Sequence, residues 1–460
     1  MCRRLSQVQL AKRILQLALP SIATFSSMTF TGLLVLMIVG KLGAAAIAVV
    51  GVTNILIYNM WALCAGIQNA INYLVAQNFG SGEMRLANQR MQIALLLTGI
   101  LAFMLLAGSL LAPELILRAM GLNEEIVSLG SDYVMVRMIA LMFNIFSGAF
   151  FAYFRAIGDT KTPMTIALIN SGLVVVLTYL LAYGKFGFPD LGLQGASWSI
   201  VIAELVQLGM CLWVYYGYLN ATLLTRSRER FDRKQVKLMI SESAKLSTME
   251  MSNSLGMLVF TMCISRLGTV AIAANEIALN ILSFGFMPSN GFGAAATIGT
   301  GQEIGKGRPE EAKRFGLMTV VLGVLMMVLI SILMFIFALP IAKLYTPERA
   351  VYLAVIPLIH LAAFIQLFNT SGIIFGGGLR GIGDTAYLSR VAFVLNWIVF
   401  IPGTLLLTVV LDYGQVGAWI ALCGNMVLGA LLNGLRYIKL DWSRTRVKSG
   451  TVQAARMASH

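Results

Sequence analysis

The chain has 460 residues, of which 58% are hydrophobic and 12% charged, with a mean hydropathy of +0.81 and a formal net charge of +14. A soluble domain carries about 25% charged residues, so this composition excludes an ordinary water-soluble globule. A bilayer span takes about 20 apolar residues, and the short polar stretches between apolar runs leave no room for a large soluble domain.

Apolar stretches bounded by charges and Gly/Pro clusters predict twelve spans, near 14–39, 44–76, 91–112, 128–153, 163–184, 194–218, 237–264, 269–298, 315–340, 350–376, 390–410 and 415–437. The first follows Arg3, Arg4, Lys12 and Arg13 and is too long for a cleaved signal, so it reads as an uncleaved span. It contains Pro20, and the eighth contains Pro288; a proline inside a helix removes a backbone hydrogen bond and favours a bend, which makes both candidate hinges. Phe79-Gly80-Ser81-Gly82 closes the second span and Ile304-Gly305-Lys306-Gly307 the eighth. These glycines read as helix-ending turns; a phosphate cradle would need a preceding strand and a Lys-Ser/Thr ending that both lack.

Acidic residues in the later spans are the candidate chemistry, because an ionisable group in hydrocarbon is costly unless paired, hydrated or protonated. Glu204 in the sixth span can clasp Arg137 of the fourth or serve transport as a substrate-cavity residue, a role for which Asn280 and His360 are also candidates. In the seventh, Glu242 and Lys245 have the i, i+3 spacing of a local ion pair. Deeper in the seventh and eighth spans, Glu250 and Glu276 lie among Asn253, Asn280 and other polar residues, and could take up a proton or a metal cation such as Na⁺. His360 and Asn369 share the tenth span, and Asn170 and Asn396 occupy comparable places in the two halves as candidate cavity-lining residues.

The five cysteines (Cys2, Cys64, Cys211, Cys263, Cys423) have no metal-type spacing, and with only His360 and His460 a zinc site or a histidine-based triad is not expected. No enzyme constellation is visible. Most of the 34 Lys and Arg residues fall on the side that holds both termini, including the basic connection from Arg226 to Lys237, so both termini are expected in the cytoplasm. Orientation accounts for the positive charge, and no nucleic-acid partner is implied.

The chain is internally duplicated. Lys41-Leu42-Gly43 is echoed by Arg266-Leu267-Gly268, Gln77 and Gly80 by Gln302 and Gly305, and Arg155-x-Ile157-Gly158-Asp159-Thr160 by Arg380-x-Ile382-Gly383-Asp384-Thr385, all 225 positions apart. In both copies of the last motif, Asp or Thr is placed to cap the following helix. Two homologous six-helix bundles are expected, 1–220 and 237–440, joined by a basic cytoplasmic connection at 221–236 and followed by a cytoplasmic tail at 441–460. Six spans per repeat leave both copies in one membrane orientation, the parallel-repeat plan of secondary transporters.

Val39-Gly40-Lys41-Leu42-Gly43, Gln77-Asn78-Phe79-Gly80, Gly301-Gln302-Glu303-Ile304-Gly305 and Leu379-Arg380-Gly381-Ile382-Gly383-Asp384-Thr385 together resemble the multidrug and toxic compound extrusion (MATE) family, bacterial type. The resemblance runs from about residue 10 to 440. It implies an all-α polytopic membrane protein of twelve transmembrane helices in two pseudo-symmetric bundles, V-shaped around a cavity. It also implies a monomeric antiporter of the bacterial inner or plasma membrane, exporting drug-like cationic or amphipathic compounds in exchange for H⁺ or Na⁺, among membrane lipids and with no other cofactor. The acids that the family carries in its first and fifth spans fall here on Val35 and Val174, and those of a second-lobe cation site on Asn253 and Asn369. Glu276 takes the place of a family glutamine beside that site, and Glu250 lies one turn from Asn253. The coupling charge is therefore expected at Glu250 and Glu276, with Na⁺ as a candidate ligand there. A flippase for a lipid-linked intermediate, from the same wider superfamily, is the alternative.

Overall fold

The computed structural model describes residues 6–111, 114, 118, 124–227, 229–346 and 348–448. Cys2, Arg3, Arg4, Arg228, Arg456 and His460 lie outside the described residues. In lipid every backbone N–H and C=O must be satisfied within its own segment, which leaves the helix as the form for an open chain of apolar runs. Among the described residues twelve long helices follow in order: α1 (Gln7–Gly40), α2 (Ala44–Ser81), α3 (Met84–Leu111), α4 (Glu124–Ala156), α5 (Lys161–Tyr183), α6 (Gly192–Tyr218), α7 (Arg233–Ser265), α8 (Thr269–Gly305), α9 (Pro309–Ile336), α10 (Arg349–Gly381), α11 (Thr385–Val410) and α12 (Gly414–Lys439). Among the described residues there is no strand.

Eleven of these helices are long and apolar enough to cross a membrane. The exception, α7, has the length at 33 residues, but Glu242, Lys245, Glu250 and its many serines dilute its apolar character. Helix ends follow local chemistry. The α5 C-terminus is closed by Gly184 at φ 59°, whose N–H bonds the Leu180 carbonyl. Pro309, Glu310 and Glu311 open α9, where a missing N–H is harmless and negative charge suits the helix dipole.

The chain forms two compact units. Among the described residues, one holds 6–22, Ala76–Gly82 and 248–448; the other holds Ala23–Val75 and Glu83–Ser247. The first half of α1 therefore belongs with the second repeat, and the first half of α7 with the first repeat. The two changeovers, after Ile22 and after Ser247, are themselves 225 positions apart. Pro20 lies two residues before the changeover in α1.

In the unit of the second repeat, α8 lies along α10 through small residues and polar bonds. Thr297 Oγ1 donates to the Gly377 carbonyl at 3.0 Å, Gln366 Nε2 to the Leu282 carbonyl at 2.6 Å, and the Ser289 and Thr370 hydroxyls meet at 2.6 Å. Small side chains and hydroxyls are what bring helices together where lipid supplies no hydrophobic drive. The core of this unit is built on Phe260, Phe400 and Trp419, whose indole N–H donates to Asn275 Oδ1 at 3.0 Å.

The repeated glycine motifs do what their pattern predicts and one thing more. Gly82 and Gly307 take φ of +79° and +69°, the left-handed conformation that ends a helix. Gly80 and Gly305 instead permit a close approach: a Cβ on Gly305 would sit 2.8 Å from the Gly80 Cα, and one on Gly80 would strike the Gln302 backbone. The ends of α2 and α8 cross backbone to backbone. Gly305→Ala is expected to lower stability by about 1–3 kcal/mol, as overpacking against unyielding main chain does, read as a lower midpoint of thermal unfolding in detergent.

The twin Asp motifs have diverged. Asp159 Oδ1 accepts from the Thr162 N–H at 3.0 Å and caps α5 as expected. Asp384 instead accepts from Arg436 Nε of α12 at 2.9 Å and makes no cap.

Candidate functional site

A cavity of about 400 Å³ opens inside the unit of the first repeat, lined by five helices. Its wall combines apolar and aromatic surface with a small set of convergent polar groups, the usual make-up of a small-molecule site. Helical spacing explains who lines it: Tyr133, Arg137, Ala140 and Asn144 recur every three or four residues on one face of α4, as do Ile200, Glu204 and Gln207 on α6. Thr31 and Val35 of α1, Asn54, Tyr58 and Trp61 of α2, and Asn170 and Val174 of α5 complete it. The Tyr58 and Trp61 rings stack with centroids 5.9 Å apart.

Glu204 is the buried carboxylate of this cavity, only 7% exposed. It accepts from Asn144 Nδ2 at 3.1 Å and from Gln207 Nε2 at 2.9 Å, and Asn170 and Arg137 also lie within its electrostatic reach. The expected clasp between Glu204 and Arg137 is thus an attraction across the cavity, because the guanidinium donates to Asn54 Oδ1 at 3.2 Å. Among the described residues Arg137 Nε, Asn170 Oδ1 and Gln207 Oε1 are buried without a hydrogen-bond partner, so the wall presents unused donors and acceptors together. Val35 and Val174, where the family resemblance leads one to expect acids, both line this cavity. The apolar side chains there leave Glu204 as its negative charge.

The remaining predicted residues fall outside this wall. Glu250 is half-buried and lies within the electrostatic reach of Arg380 of α10. Glu276 is exposed and makes no side-chain hydrogen bond or ion pair among the described residues, while its neighbour Asn275 is buried against Trp419. Asn280 Nδ2 is spent on the Glu276 carbonyl at 2.9 Å. Asn253 and Asn396 are brought together: Asn396 Nδ2 donates to Asn253 Oδ1 at 2.9 Å and to the Ala392 carbonyl at 2.8 Å, at the start of a π-helical turn in α11. Asn369 is buried with an unused Nδ2. His360 stacks on Phe335 at 4.4 Å, in the manner of a packing residue. Among the described residues no three His, Cys, Asp or Glu side chains gather as a metal group.

Sequence reasoning missed Asn54, Asn144 and Gln207. A signal for one of them existed, since Asn144 stands 225 positions before Asn369. Glu242 was found as predicted: its carboxylate, 2% exposed, holds Lys245 Nζ at 2.7 Å and also accepts from the Tyr73 hydroxyl at 2.6 Å.

A duplicated array of helices of membrane-crossing length, with a mixed polar and apolar cavity inside one of its units, is the make-up of a polytopic transporter. The MatE family model matches residues 20–180 and again 246–406, more than half of the chain, and the protein belongs to this family of MATE transporters. It is 23% identical over 449 residues to a protein of Thermotoga maritima named probable multidrug resistance protein NorM, covering 95% of this chain and 94% of that one. A Pasteurella multocida protein of the same name is 27% identical over 454 residues, covering 94% of each. The fold is similar to that of a crystallised mutant of the Vibrio cholerae MATE transporter VcmN, with a TM-score of 0.86 at 17% identity over 95% of this chain and 99% of that one.

Proposed function

We propose that the protein is a multidrug efflux antiporter of the bacterial inner membrane, exporting cationic or amphipathic organic compounds in exchange for protons by alternating access. Both termini lie in the cytoplasm in this reading, and a single chain carries out transport. The names of the Thermotoga maritima and Pasteurella multocida relatives support the substrate class. The observation that carries the reading is Glu204, a carboxylate buried in the wall of a cavity that can admit a drug-sized amphipath.

A negatively charged Glu204 attracts a cationic head group while Tyr58, Trp61 and the apolar wall take the hydrophobic body. A proton arriving at Glu204 removes that attraction and releases the compound. The proton must favour one conformational state over the other for this exchange to drive transport. Protons fit this carboxylate better than Na⁺. Hard cations take oxygen ligands, whereas the Glu204 oxygens are held by amide N–H donors, and the Arg137 guanidinium shares the cavity.

Purified protein in vesicles with imposed gradients tests this reading. A pH gradient alone should drive uptake of a fluorescent organic cation, and a Na⁺ gradient of equal size should not. Transport driven by Na⁺ alone would overturn it.

A further inference from the structure

The duplication puts one arginine in the same place in each repeat, and the two are answered differently. Arg380 lies in the last turn of α10, within the electrostatic reach of the Glu250 carboxylate of α7. Its counterpart 225 positions earlier is Arg155, in the last turn of α4, and the counterpart of Glu250 is Phe25 of α1. The structure preserves that neighbourhood in both copies, because the Arg155 guanidinium lies over the Phe25 ring, 5.6 Å from its centroid. One repeat sets a carboxylate against its arginine; the other sets an aromatic face.

The ring attracts the cation without neutralising it. Arg155 has no salt bridge or hydrogen bond from its side chain among the described residues, and its Nε is buried with no acceptor. The side chain as a whole is half-buried, so the terminal nitrogens remain within reach of a ligand. A guanidinium removed from water calls for an anionic partner, and its planar fork matches two oxygens of one oxyanion.

We propose that Arg155 is a binding site for the carboxylate or phosphate of an anionic amphipath, with Phe25 packing beneath the guanidinium. The ligand supplies the charge that Glu250 supplies in the other repeat. The site lies outside the Glu204 cavity wall and does not depend on how transport is coupled. It is therefore measured at equilibrium, with no gradient.

Binding of decanoate to the full-length protein in neutral detergent, followed by titration calorimetry, tests the proposal, with decyltrimethylammonium as the cationic control. Wild type should bind decanoate. Arg155→Gln should weaken it at least about tenfold, the loss of one charged contact, and Arg155→Lys should retain part of it. Phe25→Glu, which rebuilds the pair of the second repeat, should abolish decanoate binding, whereas Phe25→Leu, of similar shape and no charge, should largely keep it. Decyltrimethylammonium should be indifferent to Arg155. Nanodiscs of phosphatidylcholine with and without phosphatidylglycerol identify the source of the oxyanion. Competition by phosphatidylglycerol assigns Arg155 to a lipid head group, and its absence assigns Arg155 to a free amphipath. Equal decanoate affinity in wild type, Arg155→Gln and Phe25→Glu would overturn the proposal.

Discussion

Glu204→Gln is expected to abolish pH-gradient-driven accumulation of an organic cation while leaving the protein folded and inserted. The substitution keeps the shape of the side chain and removes its ability to change charge. Moving a two-state equilibrium from 1:99 to 99:1 takes about a 10⁴-fold difference in ligand affinity between the states. Without a titrating group the proton has no such difference to offer at this cavity. Transport by Glu204→Gln should fall to downhill equilibration of the compound and become insensitive to pH. Glu276→Gln, measured in the same vesicles, separates the two carboxylates: Glu276 is exposed where Glu204 is enclosed. Full pH-driven efflux by Glu204→Gln, with loss in Glu276→Gln, would move the coupling site to α8.

Removing Glu242 is expected to be the most damaging change to stability outside the cavity. Its carboxylate joins Lys245 on its own helix to the Tyr73 hydroxyl of α2, and the group is almost wholly buried. Breaking a buried pair by deleting one member costs about 3–5 kcal/mol. Lys245 keeps a third of its side chain exposed, which discounts the loss and brings the expectation for Glu242→Ala to about 2–4 kcal/mol. Tyr73→Phe removes one hydrogen bond and should cost about 1 kcal/mol. Thermal unfolding of the two variants in one detergent checks the ordering. Equal shifts would mean that the carboxylate serves Tyr73 alone.

Much of this architecture was legible in the sequence because membranes simplify the problem. Apolar runs of spanning length have to be helices, and a constant offset of 225 positions identifies which residues occupy corresponding places. The turns at Gly82 and Gly307 and the ion pair of Glu242 with Lys245 follow from local spacing, and the structure contains them. The site was harder to read. What an acid does depends on the charges around it, and Glu250 lies within the electrostatic reach of Arg380, 130 residues away in the sequence. Periodicity gives no such information for a helix with polar residues on several sides. From the sequence Glu250 and Glu276 stand first as coupling candidates, and the setting of Glu204 is visible only in the folded chain. Gln207 reaches Glu204 from one turn along the same helix, but Asn144 joins them only when α4 and α6 pack together.

The changeovers in α1 and α7 bear on how such a chain arose. Each compact unit is completed by a half-helix encoded in the other repeat, and the two points of exchange correspond under the duplication. A gene encoding one repeat would make a product missing a wall, unless two copies traded their leading arms as a swapped homodimer. Fusion of two such genes would turn an intermolecular trade into an intramolecular one. Fragments separated within 221–236 should accordingly fail when made singly and reassemble when made together.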